Sequence, residues 1–416
     1  MYLTNYLLAF SDVMKSIGGV ILAIAILLAM VTIHEFGHYV AGKILGFKIN
    51  EFAVGFGPAL FKKRSKKTGE LFALRVVPLG GYCAFDGEDE DDEEEPKQTD
   101  ETPFEEINGD TESPEKEQND GGRVALNEEP DYPEPKGKRF NDQPPWKRII
   151  VLIAGATMNY LLALLLLFIM FGSYGCIHSY VAIYEGANAT PPAMTEETLG
   201  YRDIVLSVDN KDIYLATDYA DALSGKKQGE TVVVEILRKN DEGEWKEKTL
   251  TLTLQTDCKF ANMTDMKTAY TALGLDPETY AFASVMMKEG FFETIGSAFV
   301  YSGKIGGTVL RSLGELLTGR LGLDAMGGPV TTIKITSQAA AGGALSFLNI
   351  AAFIGVNLAV FNLLPIPALD GCKVIFCIIE WIRKKPVNRK VEAMIHFIGI
   401  IFLFGFAILI DLLQLF

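Results

Sequence analysis

Two histidines and a glutamate stand at the spacing that grips a metal. His34-Glu35-Phe36-Gly37-His38 is an HExxH pattern. Imidazoles at i and i+4 share one helix face, about 6 Å apart along the axis. Both can reach one zinc ion, and Glu35 is placed to take a proton from water. The chain holds only four histidines, two of them here. A catalytic zinc needs a third protein ligand and an open position. Far along the chain, Asn362-Leu-Leu-Pro365-Ile-Pro367-Ala-Leu-Asp370-Gly371 offers a carboxylate just after two helix-breaking prolines. Each pattern alone has a plainer reading: polar side chains at a helix end, or a carboxylate at a water interface. Together they favour a shared ion, because ionisable groups near membrane depth are costly without a partner.

The elements that must position these groups are apolar helices. Four runs are long and apolar enough to cross a bilayer: Ile17–Ile33, Ile149–Tyr174, Leu345–Leu364 and Met394–Ile410. The first lacks a basic start and a small-residue cleavage site, so it reads as a retained span. Lys and Arg crowd three stretches: Lys43 to Lys67, Lys136 to Arg148, and Arg383 to Lys390. The bias toward basic cytoplasmic loops then puts those stretches inside and both termini outside, with the metal site near the cytoplasmic side.

The chain of 416 residues is 49% hydrophobic yet carries a net charge of −15. Residues 86–135 alone hold 22 acids against three bases, so the remainder is slightly basic and apolar. No basic stripe is large enough to track phosphates, which disfavours nucleic-acid binding. Five scattered cysteines disfavour a disulfide-stapled domain. Cys176 and Cys258 both fall on the outer side, where a bond between them is possible.

The expected organisation is a polytopic α-helical membrane protein of four transmembrane helices. A first helix occupies 1–45 and a membrane-associated β-hairpin 46–85, where short apolar–polar alternations are punctuated by Gly and Pro. The acidic insert 86–140 is too polar to fold alone and is expected to be disordered in the cytoplasm. A second helix follows at 146–176 and a β-rich extracytoplasmic module at 177–280. An amphipathic helix and linker take 285–344, lying along the outer membrane face. The third helix, 345–382, contains the proline break, and the fourth covers 391–414. His178 and His396 read as interfacial or packing residues, and Cys372 and Cys377 as packing.

HEFGH at 34–38, GFGP at 55–58, PLGGY at 78–82, Asn159, GGPV at 327–330 and NLLPIPALDG at 362–371 together resemble the site-2 protease family of intramembrane zinc metalloproteases. The similarity is strongest to the bacterial regulator-of-sigma-E-protease branch and covers nearly everything except the acidic insert. The resemblance implies one catalytic Zn2+ held by His34, His38 and Asp370, Glu35 as the base, and Asn362 acting near the substrate or the developing oxyanion. It implies single-span membrane-protein substrates cut within the bilayer of the bacterial plasma membrane, such as anti-sigma factors or signal-peptide remnants. It also makes the 177–280 module PDZ-like, present once. Gly55, Phe56, Gly57, Gly80, Gly81 and Tyr82 are the expected substrate-binding residues, on a hairpin edge able to take an extended segment as an added strand. A monomer is expected. Cys372 after LDG, Gly155-Ala156 in span two and the acidic insert depart from the family pattern.

A non-catalytic adaptor with a structural metal site is the alternative, and a transporter a more distant one. A structural site needs no spare base between its histidines, and no internal repeat supports a transporter.

Overall fold

A computed structural model describes residues 2–88, 132–183, 197–240, 242–323 and 326–415. Helix α1 (Tyr2–Leu45) opens the chain. The ribbon β1 (Ile49–Arg64) and β2 (Leu71–Phe85) follows, then α2 (Pro145–Tyr174). A sheet module spans β3 (Cys176–Ile183), β4 (Ile204–Val208), β5 (Lys211–Asp212), α3 (Ala216–Leu223), β6 (Thr231–Lys239), β7 (Trp245–Thr253), α4 (Met266–Ala272) and β8 (Tyr280–Met287). Helices α5 (Phe291–Leu317), α6 (Pro329–Ala341), α7 (Ala344–Asn362), α8 (Asp370–Arg383) and α9 (Arg389–Leu415) complete it. Among the described residues, four helical stretches are long and apolar enough to cross a bilayer: Gly18–Leu45, Pro145–Tyr174, Ala344–Asn362 and Arg389–Gln414.

Glycines let the helices that carry the site approach closely. A Cβ on Gly37 of α1 would lie 2.4 Å from the Ala154 carbonyl of α2. One on Gly355 of α7 would lie 3.0 Å from Ala163 Cβ. The third span stops at Asn362, since Pro365 and Pro367 cannot continue it. Ala368 turns the chain at φ +78°, and α8 starts at Asp370. The region expected as one helix over 345–382 is thus two helices with the acid at the second one's first residue.

The β1–β2 ribbon is more than a plain hairpin. Residues 49–54 pair on one flank with 71–74 and on the other with 81–85. Among the described residues, 81–85 have strand partners on one side only. The turn is pinned to α1: Lys43 Nζ and Tyr39 Oη donate to the buried Glu70 carboxylate at 2.5 and 3.0 Å. Tyr39 also packs edge-on against Phe52 and Phe72.

The module's antiparallel sheet runs β7-β6-β4-β3-β8, with β5 beside β4, over an apolar core shared with α3 and α4. Its last strand reaches Met287, past the expected boundary at 280, and α5 begins only at Phe291. Of the segment expected to be disordered, 86–88 and 132–140 are described, and most of 132–140 is exposed. Phe140 is buried, its ring centroid 5.5 Å from those of Phe47 and Phe85, because an aromatic at its end finds an apolar slot beside the ribbon. The core of the acidic insert, 89–131, lies outside the described residues. Cys176 and Cys258 are both free and buried, in separate apolar clusters.

Candidate metal centre

Helix α1 supplies the two imidazoles one turn apart, and the break before α8 swings Asp370 onto them. His34 Nε2 lies 3.0 Å from Asp370 Oδ2, and His38 Nε2 lies 3.3 Å from the same oxygen. The two Nε2 atoms are 3.1 Å apart. Two donors about 2.1 Å from one tetrahedral ion are separated by about 3.4 Å, so this triangle has zinc-ligand dimensions. Asp370 Oδ2 is buried with no hydrogen-bond partner, which a shared cation would satisfy. Among the described residues this is the one cluster of His, Cys, Asp or Glu able to hold a metal.

The outer faces of both rings are engaged. His38 Nδ1 lies 2.8 Å from the Val151 carbonyl of α2. It therefore donates there, leaving the Nε2 lone pair for a metal. His34 Nδ1 is met by the amides of Asn159 at 3.4 Å and Asn362 at 3.3 Å. Asn159 Oδ1 is buried without a partner. Exchanging oxygen and nitrogen of that amide turns the oxygen toward the ring N–H and gives that N–H an acceptor. Asn362 thus meets the ring nitrogen opposite the metal-facing one.

Gly155 makes the pocket possible. A Cβ there would sit 2.4 Å from His38 Nε2 and 2.8 Å from His34 Cε1. In the sequence it registers only as the glycine of a Gly-Ala pair. Its significance, like that of Val151's carbonyl, needs the crossing of α1 over α2 to be seen. Glu35 has no hydrogen bond or ion pair with any described residue, so its carboxylate stands free between the metal cluster and the ribbon.

Of the six ribbon residues, Gly81 lies beside Glu35, and the others contact one another and Arg75 or Val77. A Cβ on Gly81 would lie 3.2 Å from Glu35 Cγ. Gly80 has φ +105°, and Phe56 covers it so closely that a Cβ would meet the ring at 2.1 Å. Gly55 and Gly57 also adopt positive φ, where L side chains are strained. Arg75, not singled out by any motif, ties the patch together. It donates to the Gly57 carbonyl at 2.8 Å, to Glu51 at 2.7 Å and to Tyr82 Oη at 2.6 Å. The remaining histidines lie elsewhere: His178 pairs with Glu289 at 3.0 Å, and His396 accepts from the Ala368 amide at 3.1 Å.

Two histidines and an aspartate at zinc-ligand spacing, with a glutamate beside them and helices of membrane-spanning length around them, fit a membrane metalloprotease. Residues 22–406 match Peptidase family M50, and the chain belongs to that family, as a site-2 protease that uses zinc. A zinc-metalloprotease homologue of Clostridium perfringens is 29% identical over 94% of this chain and 97% of its own length. The zinc metalloprotease RasP of Bacillus licheniformis is 26% identical over 92% and 95%. The regulator of sigma-W protease RasP of Bacillus subtilis is 27% identical over 93% and 96%.

Proposed function

We propose that this protease cuts peptide bonds inside the spans of single-span membrane proteins, with His34, His38 and Asp370 holding its zinc. The convergence of their three donor atoms carries that reading. Zinc bound there supplies Lewis acidity, polarising an acyl carbonyl and making water more acidic. Glu35 receives the proton of the attacking water on its free carboxylate and passes it to the leaving amide nitrogen. Asn362 and Asn159 hold the His34 ring through Nδ1. This geometry favours a positioning role for Asn362 over contact with the oxyanion.

A transmembrane helix hides its peptide bonds in its own hydrogen bonds, so it must be held extended to be cut. The 81–85 edge fits that task. The Asp86 amide donates to the Lys48 carbonyl, at 2.9 Å. By two-residue alternation the amides of Ala84 and Tyr82 face β1, while those of Cys83 and Gly81 face away. Those outward amides are donors for an added substrate strand beside Glu35. The β3–β8 module, PDZ-like in its strands and two short helices, sits on the far end of α2 and would screen substrates by bulk before they enter. Basic flanks at 43–67, 136–148 and 383–390 support an orientation in the plasma membrane with both termini outside. Anti-sigma factors are among the proposed substrates, a reading supported by the name of one relative, regulator of sigma-W protease.

The test is cleavage of a tagged single-span substrate by the Glu35→Gln variant. Zinc content should stay at the wild-type level while cleavage falls at least about 1,000-fold. Full activity in that variant would remove the assignment of Glu35.

A further inference from the structure

At the end of the bundle where α2 and α9 begin, a cavity of about 350 Å³ opens beside α8. Its wall includes Arg148, Lys373, Arg389, His396, Phe397 and Glu88. Arg148 is 1% exposed, an extreme burial for an arginine. Its Nη2 pairs with Glu380 Oε1, and Arg389 reaches the other oxygen of Glu380 at 3.5 Å and Glu392 at 2.9 Å. Three guanidinium nitrogens remain buried without a partner among the described residues: Nε and Nη1 of Arg148 and Nε of Arg389. Such orphaned donors are rare in folded proteins and mark the place of an absent ligand or water.

The unpartnered groups select the ligand. Arg148 and Arg389 share Glu380, Lys373 pairs with Glu88 and Arg389 with Glu392, so the wall's formal charges balance and what the guanidinium nitrogens lack is acceptors. Oxygen acceptors are favoured there, and guanidinium forks match phosphate oxygens best. The level in the membrane selects its source. Spans of 30 and 26 residues both begin at this end, which puts the cavity at headgroup depth. Basic pockets between helices at that depth take lipid phosphates.

We infer that this cavity is a binding site for the phosphate of an anionic phospholipid, bridging Arg148 of α2 to Arg389 of α9. The bridge has a mechanical consequence. Only 11% of the α9 span is buried against the rest of the chain, against 39% for α2. Yet α9 touches the break that carries Asp370: a Cβ on Gly399 would lie 2.4 Å from Pro367, and His396 accepts from the Ala368 amide. A headgroup in the cavity fastens the loosest helix where it meets the metal centre.

The experiment uses the full zinc-loaded chain, delipidated in detergent, titrated with phosphatidylglycerol or phosphatidylcholine and read by native mass spectrometry. One phosphatidylglycerol should be retained about tenfold more tightly than phosphatidylcholine. Arg389→Gln should abolish that preference, and Ala393→Leu, which fills the cavity without altering charge, should do the same. The double variant Lys384→Gln, Lys385→Gln, on the exposed turn, should keep it. Inorganic phosphate is the second probe, read by thermal shift. Protection by phosphate that depends on Arg389, without a preference between the lipids, would keep the site and make its source soluble. No preference for either anion, or wild-type retention in both cavity variants, would overturn the proposal. Zinc content in each variant separates these outcomes from failure of the catalytic assignment.

Discussion

The molecule contains two sheets built on opposite plans. The β3–β8 module closes on itself: its strands and two short helices bury a continuous apolar core, and Tyr219 stacks on Phe282 with ring centroids 3.9 Å apart. The β1–β2 ribbon has no such core. It leans on α1 through Glu70, Tyr39 and Phe52, and it leaves Phe56, Leu60, Phe61 and Val77 exposed. The module's outer strands β7 and β8 are open edges too, but the ribbon's edge is the one beside Glu35. A unit that folds independently suits recognition at a distance from chemistry. A ribbon completed only by its surroundings suits handling of an extended substrate.

The sharpest way to break this contrast is to plug the ribbon's free edge. Cys83→Pro removes an outward amide and leaves the ladder to β1 intact. Cleavage of a single-span substrate should fall by about 100-fold with zinc content unchanged. Ala84→Pro removes a ladder amide instead and should lower thermal stability as well. Equal, near-normal cleavage by both variants would show that the edge receives nothing. A smaller effect is expected from the module's core. Ile236→Ala should cost about 2–5 kcal/mol of local stability, read as faster hydrogen exchange across β4, β6 and β7 in the full chain. Zinc binding should not change. Loss of zinc in that variant would mean that the two sheets fold as one unit.

The smallest effect is electrostatic. Burial pushes the Asp209 carboxyl upward, but the Lys226 ammonium and the Val233 amide outweigh it and hold the group below its ordinary value. Its pairing therefore stabilises the module above the ordinary carboxyl range. That contribution is lost as pH falls through that range toward the lowered value. Hydrogen exchange near the 209–210 turn should rise slightly between about pH 5 and 3, and Lys226→Met should flatten the rise. An identical pH response in that variant would rule the pair out as its source.

Much of this was legible in the sequence because periodicity and spacing act locally. HExxH puts two imidazoles on one helix face, and Pro365 and Pro367 force the break that delivers Asp370. The Asp209-Asn210 turn between β4 and β5, with φ +49° and +60°, is likewise written in its residues. What stayed hidden depends on partners distant in the chain. Gly155 matters only because α1 crosses α2 at that point, and Arg75 only because β1 and β2 pair twice. Phe140 looked like the end of a polar insert, yet it fills a slot made by residues about 90 and 55 positions earlier. Composition gave the polarity of that segment correctly but not where folding resumes.

The central claim is that one ion joins α1 to α8. Its most direct test is zinc binding by purified Asp370→Asn, followed by X-ray absorption at the zinc edge of the wild type. About one zinc per chain, bound through two imidazoles and a carboxylate and weakened about 100-fold or more in the variant, is the expected result. Undiminished zinc affinity in Asp370→Asn, or a spectrum without histidine ligation, would contradict it.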